Sequence, residues 1–189
     1  MKPSPTDDLC TRCGLCCDGS LFADVELARR DNSAVLESLG LEIEEDGERA
    51  NAELLVQPCA ALRNCRCTIY AHRPGCCRTF ECQVLQAVRR GTLSSAAAHA
   101  TIAEAFTRID AVRTRVRQLG PVEEQLSLRD QCTDAVARAD EDSRPQIKTS
   151  ADQLESALAD LEHWLHSEFL RPIKSSAPAA RRKRTPSEA

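Results

Sequence analysis

Aromatic residues make up only 3% of this 189-residue chain. Any core must therefore be built from Leu, Val, Ile and Ala, and an apolar content of 42% supplies enough of them. No run of about 18 apolar residues occurs, so no membrane-spanning helix is expected. Residues 1–9 lack the apolar stretch of a secretory leader. No Ser-His-Asp set, Gly-rich phosphate loop or H-E-x-x-H pattern is present. These absences point to a soluble, cytoplasmic protein with no identified catalytic constellation.

Positive charge is scarce outside one end. The formal charge is −4, yet residues 171–189 hold six Lys/Arg against one Glu, a net of +5 that leaves −9 on residues 1–170. An acidic body is a poor nucleic-acid surface, because phosphate binding needs clustered cations. The run Arg181-Arg182-Lys183-Arg184 sits among Pro, Ser and Ala and reads as a disordered, solvated tail.

Cysteine is abundant instead. Of eleven cysteines, ten lie at or before Cys82. The odd count and the adjacent pairs Cys16-Cys17 and Cys76-Cys77 suit a disulfide framework badly. Unligated thiols at this density would be open to oxidation. Metal ligation accounts for them better.

The chain changes character near residue 83. Before it come cysteines, glycines and short strands; after it come Ala/Leu/Arg-rich helical patterns. Residues 21–25 read as a strand and 33–39 as a short helix closed by Gly40. Residues 41–45 alternate apolar and acidic up to the turn signal Asp46-Gly47, with 53–56 as the returning strand. A helix is expected from about Cys82 to Arg90, stopped by Gly91. Ser94 or Ser95 caps the next, whose apolar positions Ile102, Phe106, Ile109, Val112, Val116 and Leu119 end at Gly120-Pro121. A third helix is expected over about 122–139. A fourth should begin at Ser150, with Gln153 completing a capping box. It carries Leu154, Leu158, Leu161, Leu165 and Phe169 on one face.

The fold class that follows is α+β, mainly α. A flexible stretch, 1–9, precedes a small metal-nucleated module with a β-hairpin, 10–92. A helical region, 93–170, packs on it, and 171–189 is the basic tail. A dimer face on the last helix is the alternative use of its stripe.

Two cysteine clusters carry the chemistry. Cys10-x2-Cys13-x2-Cys16-Cys17 places several sulfurs in one tight segment, with Gly14 letting the backbone curl. The second cluster runs from Cys59 through Cys65, Cys67, Cys76 and Cys77 to Cys82. Arg12, Arg63, Arg66, Arg73 and Arg78 each lie within four residues of a cysteine and can offset thiolate charge.

In these residues the chain resembles the YkgJ-type cysteine-cluster proteins, a zinc- or iron-chelating family named for its CxxCxxCC motif. Cys10, Cys13, Cys16 and Cys17 match the first motif and Cys59 an isolated cysteine. Cys67, Ile69, Tyr70, Arg73, Pro74, Cys77, Arg78, Phe80 and Cys82 match the family's later pattern. The resemblance covers about residues 10–82. It implies eight metal ligands: Cys10, Cys13, Cys16, Cys17, Cys59, Cys67, Cys77 and Cys82. Tyr70, Arg73 and Arg78 are the expected residues around the cofactor, with Pro74 stiffening their loop. Cys65 and Cys76 fall outside the pattern and are read as spare thiols. Cys132 reads as a small buried apolar residue. His72 is read as an exposed loop residue, and His163 and His166 as part of a solvated helix face.

The eight thiolates could hold two tetrahedral Zn²⁺ ions, an iron–sulfur cluster or another polynuclear centre. The first three cysteines follow the bacterial ferredoxin spacing, but Cys17 is adjacent to Cys16 and no Pro follows. An iron–sulfur cluster is preferred over Zn²⁺. It would serve electron transfer or support a redox enzyme through a protein partner. A structural zinc module for protein–protein contact is the alternative.

Overall fold

The computed structural model describes residues 5–170. The basic tail and the first four residues of the expected flexible N-terminus lie outside them. From Pro5 the chain is already helical: α1 runs Pro5–Cys13. Proline suits a first helical position because its φ is preset and its missing N–H is not needed there. Residues 5–9, expected to be flexible, thus enter a helix whose Leu9 is only 2% exposed. Gly14, at φ +76°, ends α1 in the left-handed conformation that glycine takes without a Cβ clash.

A small three-stranded antiparallel sheet follows. Its strands are β1 (Asp24–Glu26), β2 (Ile43–Glu45) and β3 (Glu53–Val56), with β3 central. The register pairs Asp24 with Val56 and Ile43 with Leu55. The expected first strand is shorter than 21–25 and begins at Asp24. Between β1 and β2 lies α2 (Ser33–Ser38), where Asn32 Oδ1 accepts the Val35 N–H at 3.1 Å. The hairpin of β2 and β3 forms as expected, but its link is longer than the Asp-Gly turn. The buried Asp46 accepts from the Glu48 N–H and from Arg49 Nε, both at 2.9 Å, and so organises the loop from within.

A two-stranded ribbon, β4 (Leu62–Arg63) and β5 (Arg66–Cys67), turns on Asn64 and Cys65, at φ +49° and +60°. Both central residues are left-handed, as a type I′ hairpin turn requires. A 3₁₀ turn over Tyr70–His72 leads to α3 (Gly75–Thr79), and α4 spans Gln83–Arg89.

Three long helices complete the chain: α5 (Ser95–Gln118), α6 (Leu128–Asp140) and α7 (Pro145–Phe169). Ser94 caps α5 through the Ala97 N–H. Helix α6 starts at Leu128 rather than near 122. Ser127 Oγ accepts the Asp130 N–H and donates to Asp130 Oδ2 at 2.7 Å, a reciprocal cap. Helix α7 starts at Pro145 rather than Ser150, whose hydroxyl donates instead to the Gln146 carbonyl at 3.0 Å. Leu154, Leu161, Leu165 and Phe169 are buried in the chain's own core, so the α7 stripe is spent on α5 and α6.

The architecture is α+β, mainly α, with two apolar cores. The larger one joins α4 to α7 through residues such as Leu85, Ile109, Val116, Leu154 and Phe169, and takes in Leu9 and Leu15 beside α1. The smaller one lies under the sheet and contains Leu27, Leu36, Leu41, Leu55 and Ala61. Cys13 and Cys82 pack against the first and Cys59, Cys67, Cys76 and Cys77 against the second. No helix among the described residues is long and apolar enough to cross a membrane.

Candidate metal centre

Local structure fixes where each sulfur starts from. Cys10 and Cys13 ride on α1, three residues apart and therefore on one face. Cys16 and Cys17 follow in a turn closed by the Cys17 N–H on the Gly14 carbonyl at 2.8 Å. Cys59 comes just after β3, Cys67 is in β5, and Cys76 and Cys77 are in α3. Cys82 is the N-cap of α4, and its Sγ accepts the Leu85 N–H at 3.5 Å.

Main-chain contacts draw these segments together. The Cys59 N–H donates to the Cys17 carbonyl at 2.8 Å, and the Leu62 N–H to the Cys59 carbonyl at 2.9 Å. Leu62 is in turn the ladder partner of Cys67. A Cβ placed on Gly14 would stand 3.4 Å from the Cα of Cys65, so the ribbon tip lies against the turn after α1. All eleven cysteines are free thiols. The sulfurs of the adjacent pairs stand 3.7 Å apart in Cys16–Cys17 and 3.9 Å apart in Cys76–Cys77.

Most of these thiols hold their protons more tightly than usual. Burial pushes Cys13 up to about 12, and the neighbouring thiols of Cys16, Cys82 and Cys10 add to it. Burial also raises Cys59 and Cys82. In each adjacent pair one thiol is raised and its partner lowered, chiefly by the hydrogen bond between them. Cys17 and Cys77 are raised, and Cys16 and Cys76 lowered. A cation placed among these sulfurs would reverse the upward shifts, because it stabilises the thiolates.

The other expected residues divide. The Arg73 guanidinium carbon stands 3.8 Å from the centre of the exposed Tyr70 ring, a cation–π stack. Its Nε is buried without a hydrogen-bond partner among the described residues, and its charge acts to lower Cys16. Arg78 is exposed and donates through Nε to the Arg73 carbonyl, so it ties the loop backbone. His72 is exposed. Cys132 is 1% exposed within the helical core.

Two residues escaped the sequence reading. Asp31 accepts the Gly75 N–H at 2.9 and 3.1 Å and the Ala28 N–H at 2.9 Å, which anchors the start of α3 and hence Cys76 and Cys77. A Cβ on Gly75 would meet that carboxylate at 3.5 Å, an ordinary contact. Asp18, next to Cys17, accepts the Ser20 N–H at 2.9 Å and stands 3.9 Å from Arg113 of α5. Each also has a local main-chain partner, but the contacts that join separate elements, Gly75 for Asp31 and Arg113 for Asp18, lie far along the chain.

Soft sulfur donors in this number suit zinc or iron and not a hard cation such as Mg²⁺. Among the described residues, no three His, Cys, Asp or Glu side chains stand together in a geometry that would hold an ion as placed.

The cysteine-bearing segments adjoin through main-chain hydrogen bonds, with an N–H donor at Cys82 and the Arg73 charge acting on Cys16. Residues 9–105, just over half of the chain, match the CxxCxxCC family, described as a "putative zinc- or iron-chelating domain", and the chain belongs to that family. No curated protein and no solved structure matches it.

Proposed function

We propose that the chain holds an iron–sulfur centre on its cysteine cluster and works in electron transfer or as an accessory to a redox enzyme. The observation that carries this reading is the setting of the sulfurs. They are half-buried rather than sealed, they receive N–H donors as at Cys82, and Arg73 brings a positive charge to Cys16. Hydrogen bonding, net charge and exposure are the levers that set a cluster's potential. A bound cluster supplies one-electron chemistry; the protein holds it and tunes it. Such a role calls for a protein redox partner and for the reducing cytoplasm, where thiols stay free.

A structural zinc role is the second reading, and one observation favours it. Cys13 on α1 and Cys82 pack against the large core, and Cys59, Cys67, Cys76 and Cys77 against the small one; a closed Cys₄ site staples separate elements in this way. Protein purified without oxygen separates the two. An iron–sulfur centre gives a brown preparation with broad visible absorbance and bound iron. A colourless preparation holding about two zinc ions per chain overturns the iron–sulfur reading.

A further inference from the structure

We infer that the β4–β5 ribbon and the turn after it form a docking face for an acidic segment of a partner protein, with Arg63 and Arg66 as its two anchoring cations. Residues 57–80 hold four arginines and no acidic residue, whereas residues 1–170 as a whole carry a net −9. The inference names the chemistry of the partner that the redox reading calls for, and it rests on that reading only for the partner's role.

Arg63 and Arg66 are direct ladder partners in the ribbon, on either side of the Asn64–Cys65 turn. Side chains of directly opposed residues leave the same face, and like charges so placed destabilise a ribbon. Both residues are exposed, and neither has a carboxylate partner among the described residues. Arg63 donates to the neighbouring Leu62 carbonyl at 2.8 Å. Other surface arginines are neutralised: Arg49, Arg108, Arg129 and Arg144 each hold a carboxylate at 2.7 Å. A carboxylate from outside the chain would relieve the Arg63–Arg66 repulsion and accept the forked N–H donors of a guanidinium.

The chain beyond the ribbon adds to this face. The Thr68 N–H donates to the Ala61 carbonyl at 2.9 Å and carries the ribbon on towards the 3₁₀ turn. There Tyr70 is 62% exposed with Arg73 stacked on its ring, and the exposed Arg78 donates to the Arg73 carbonyl. Tyr and Arg are the residue types that anchor protein interfaces. The same stretch bears Cys59, Cys67 and Cys77, so a partner seated on it lies beside the candidate metal centre. Small, charge-steered contacts of this kind suit a transient redox encounter. Nucleic acid fits less well. A long polyanion would run past the patch onto the acidic body, and Arg73 already covers one face of the Tyr70 ring against base stacking.

The test measures binding of a fluorescent decaglutamate peptide to the full chain at low ionic strength, with decathymidylate as the competing polyanion. Decaglutamate should bind more tightly than decathymidylate and be released by salt. R63Q/R66Q should weaken it about 10-fold, the worth of two exposed ion pairs, and R63K/R66K should keep most of it. R181E/R182E, in the basic run near the C-terminus, should bind the peptide as the parent does. Equal binding by the parent and R63Q/R66Q, or loss in R181E/R182E alone, overturns the inference, as does tighter binding of decathymidylate. Hydrogen exchange on the parent chain needs no variant to fold. Decaglutamate should slow exchange over residues 62–73, and slowing confined to other segments contradicts the docking face. Metal and colour are read on the same samples. A colourless zinc chain that binds decaglutamate through Arg63 and Arg66 loses the redox reading and keeps the docking face; a brown chain that fails these tests loses the docking face alone.

Discussion

The N–H of Cys59 donates a 2.8 Å hydrogen bond to the carbonyl of Cys17, joining the two cysteine-bearing stretches through their backbones. The joint needs no sulfur chemistry, so the polypeptide itself holds the two cysteine-bearing stretches together. Ligand loss should then cost metal more than fold. Cys13→Ala and Cys77→Ala should each weaken metal binding at least ~10-fold, since even second-shell losses reach that size. Soluble yield should fall as well. Unchanged metal stoichiometry in both variants would remove these two cysteines from the ligand set.

The Arg73 guanidinium stacks on the Tyr70 ring and its charge acts on Cys16, while its buried Nε has no hydrogen-bond partner among the described residues. Arg73→Ala should lower metal affinity about 10-fold, in the range for outer-shell groups. Arg73→Lys should restore only part of it, because an ammonium keeps the charge but not the planar stack. Chelator competition measures both. Equal affinity in the Ala variant would leave the guanidinium no role at the centre.

The helical core should be separable from the metal chemistry. Leu154 is fully buried among α5, α6 and α7. Leu154→Ala should destabilise the chain by about 2–5 kcal/mol, the usual range for such a truncation. Its metal content should stay at the parent value. Urea unfolding followed by helical circular dichroism, with metal analysis on the same samples, checks both halves.

Much of this was legible in the sequence. Helices α2, α4 and α5 and the hairpin of β2 and β3 follow their caps and apolar periods closely. Helix α1 was not, because Cys-x2-Cys reads as well as a metal loop as it does as three residues along a helix. The starts of α6 and α7 were displaced for local reasons. Ser127 with Asp130 is a cap written in Asp rather than Glu, and Pro145 opens a helix where proline elsewhere closes one. The eight ligand candidates came from the resemblance to the CxxCxxCC family. That Cys13 and Cys82 pack on one core and Cys59, Cys67 and Cys77 on the other was not legible, since spacing along the chain does not say which side of a fold a residue meets. Asp31 stayed hidden for the same reason, its partner Gly75 lying far downstream.

Cys132 offers a pH test away from the metal ligands. Burial first, and then Glu162, raise its thiol from 9.0 to about 12 in the folded chain. Between pH 9 and 12 the unfolded chain releases this proton and the folded chain keeps it, so stability falls as pH rises. The contribution is intact below pH 9 and is lost through the folded value. Cys132→Ala should therefore lose stability less steeply across that window, by up to about 1.4 kcal/mol per pH unit. Parallel slopes for parent and variant would mean the thiol is not held neutral by the core.

Elemental analysis of the full chain, purified without oxygen and paired with a count of reactive thiols, tests the central claim most directly. The account predicts stoichiometric iron or zinc and cysteines that resist alkylation until a chelator is added. A folded chain with no transition metal and freely reactive cysteines would contradict it.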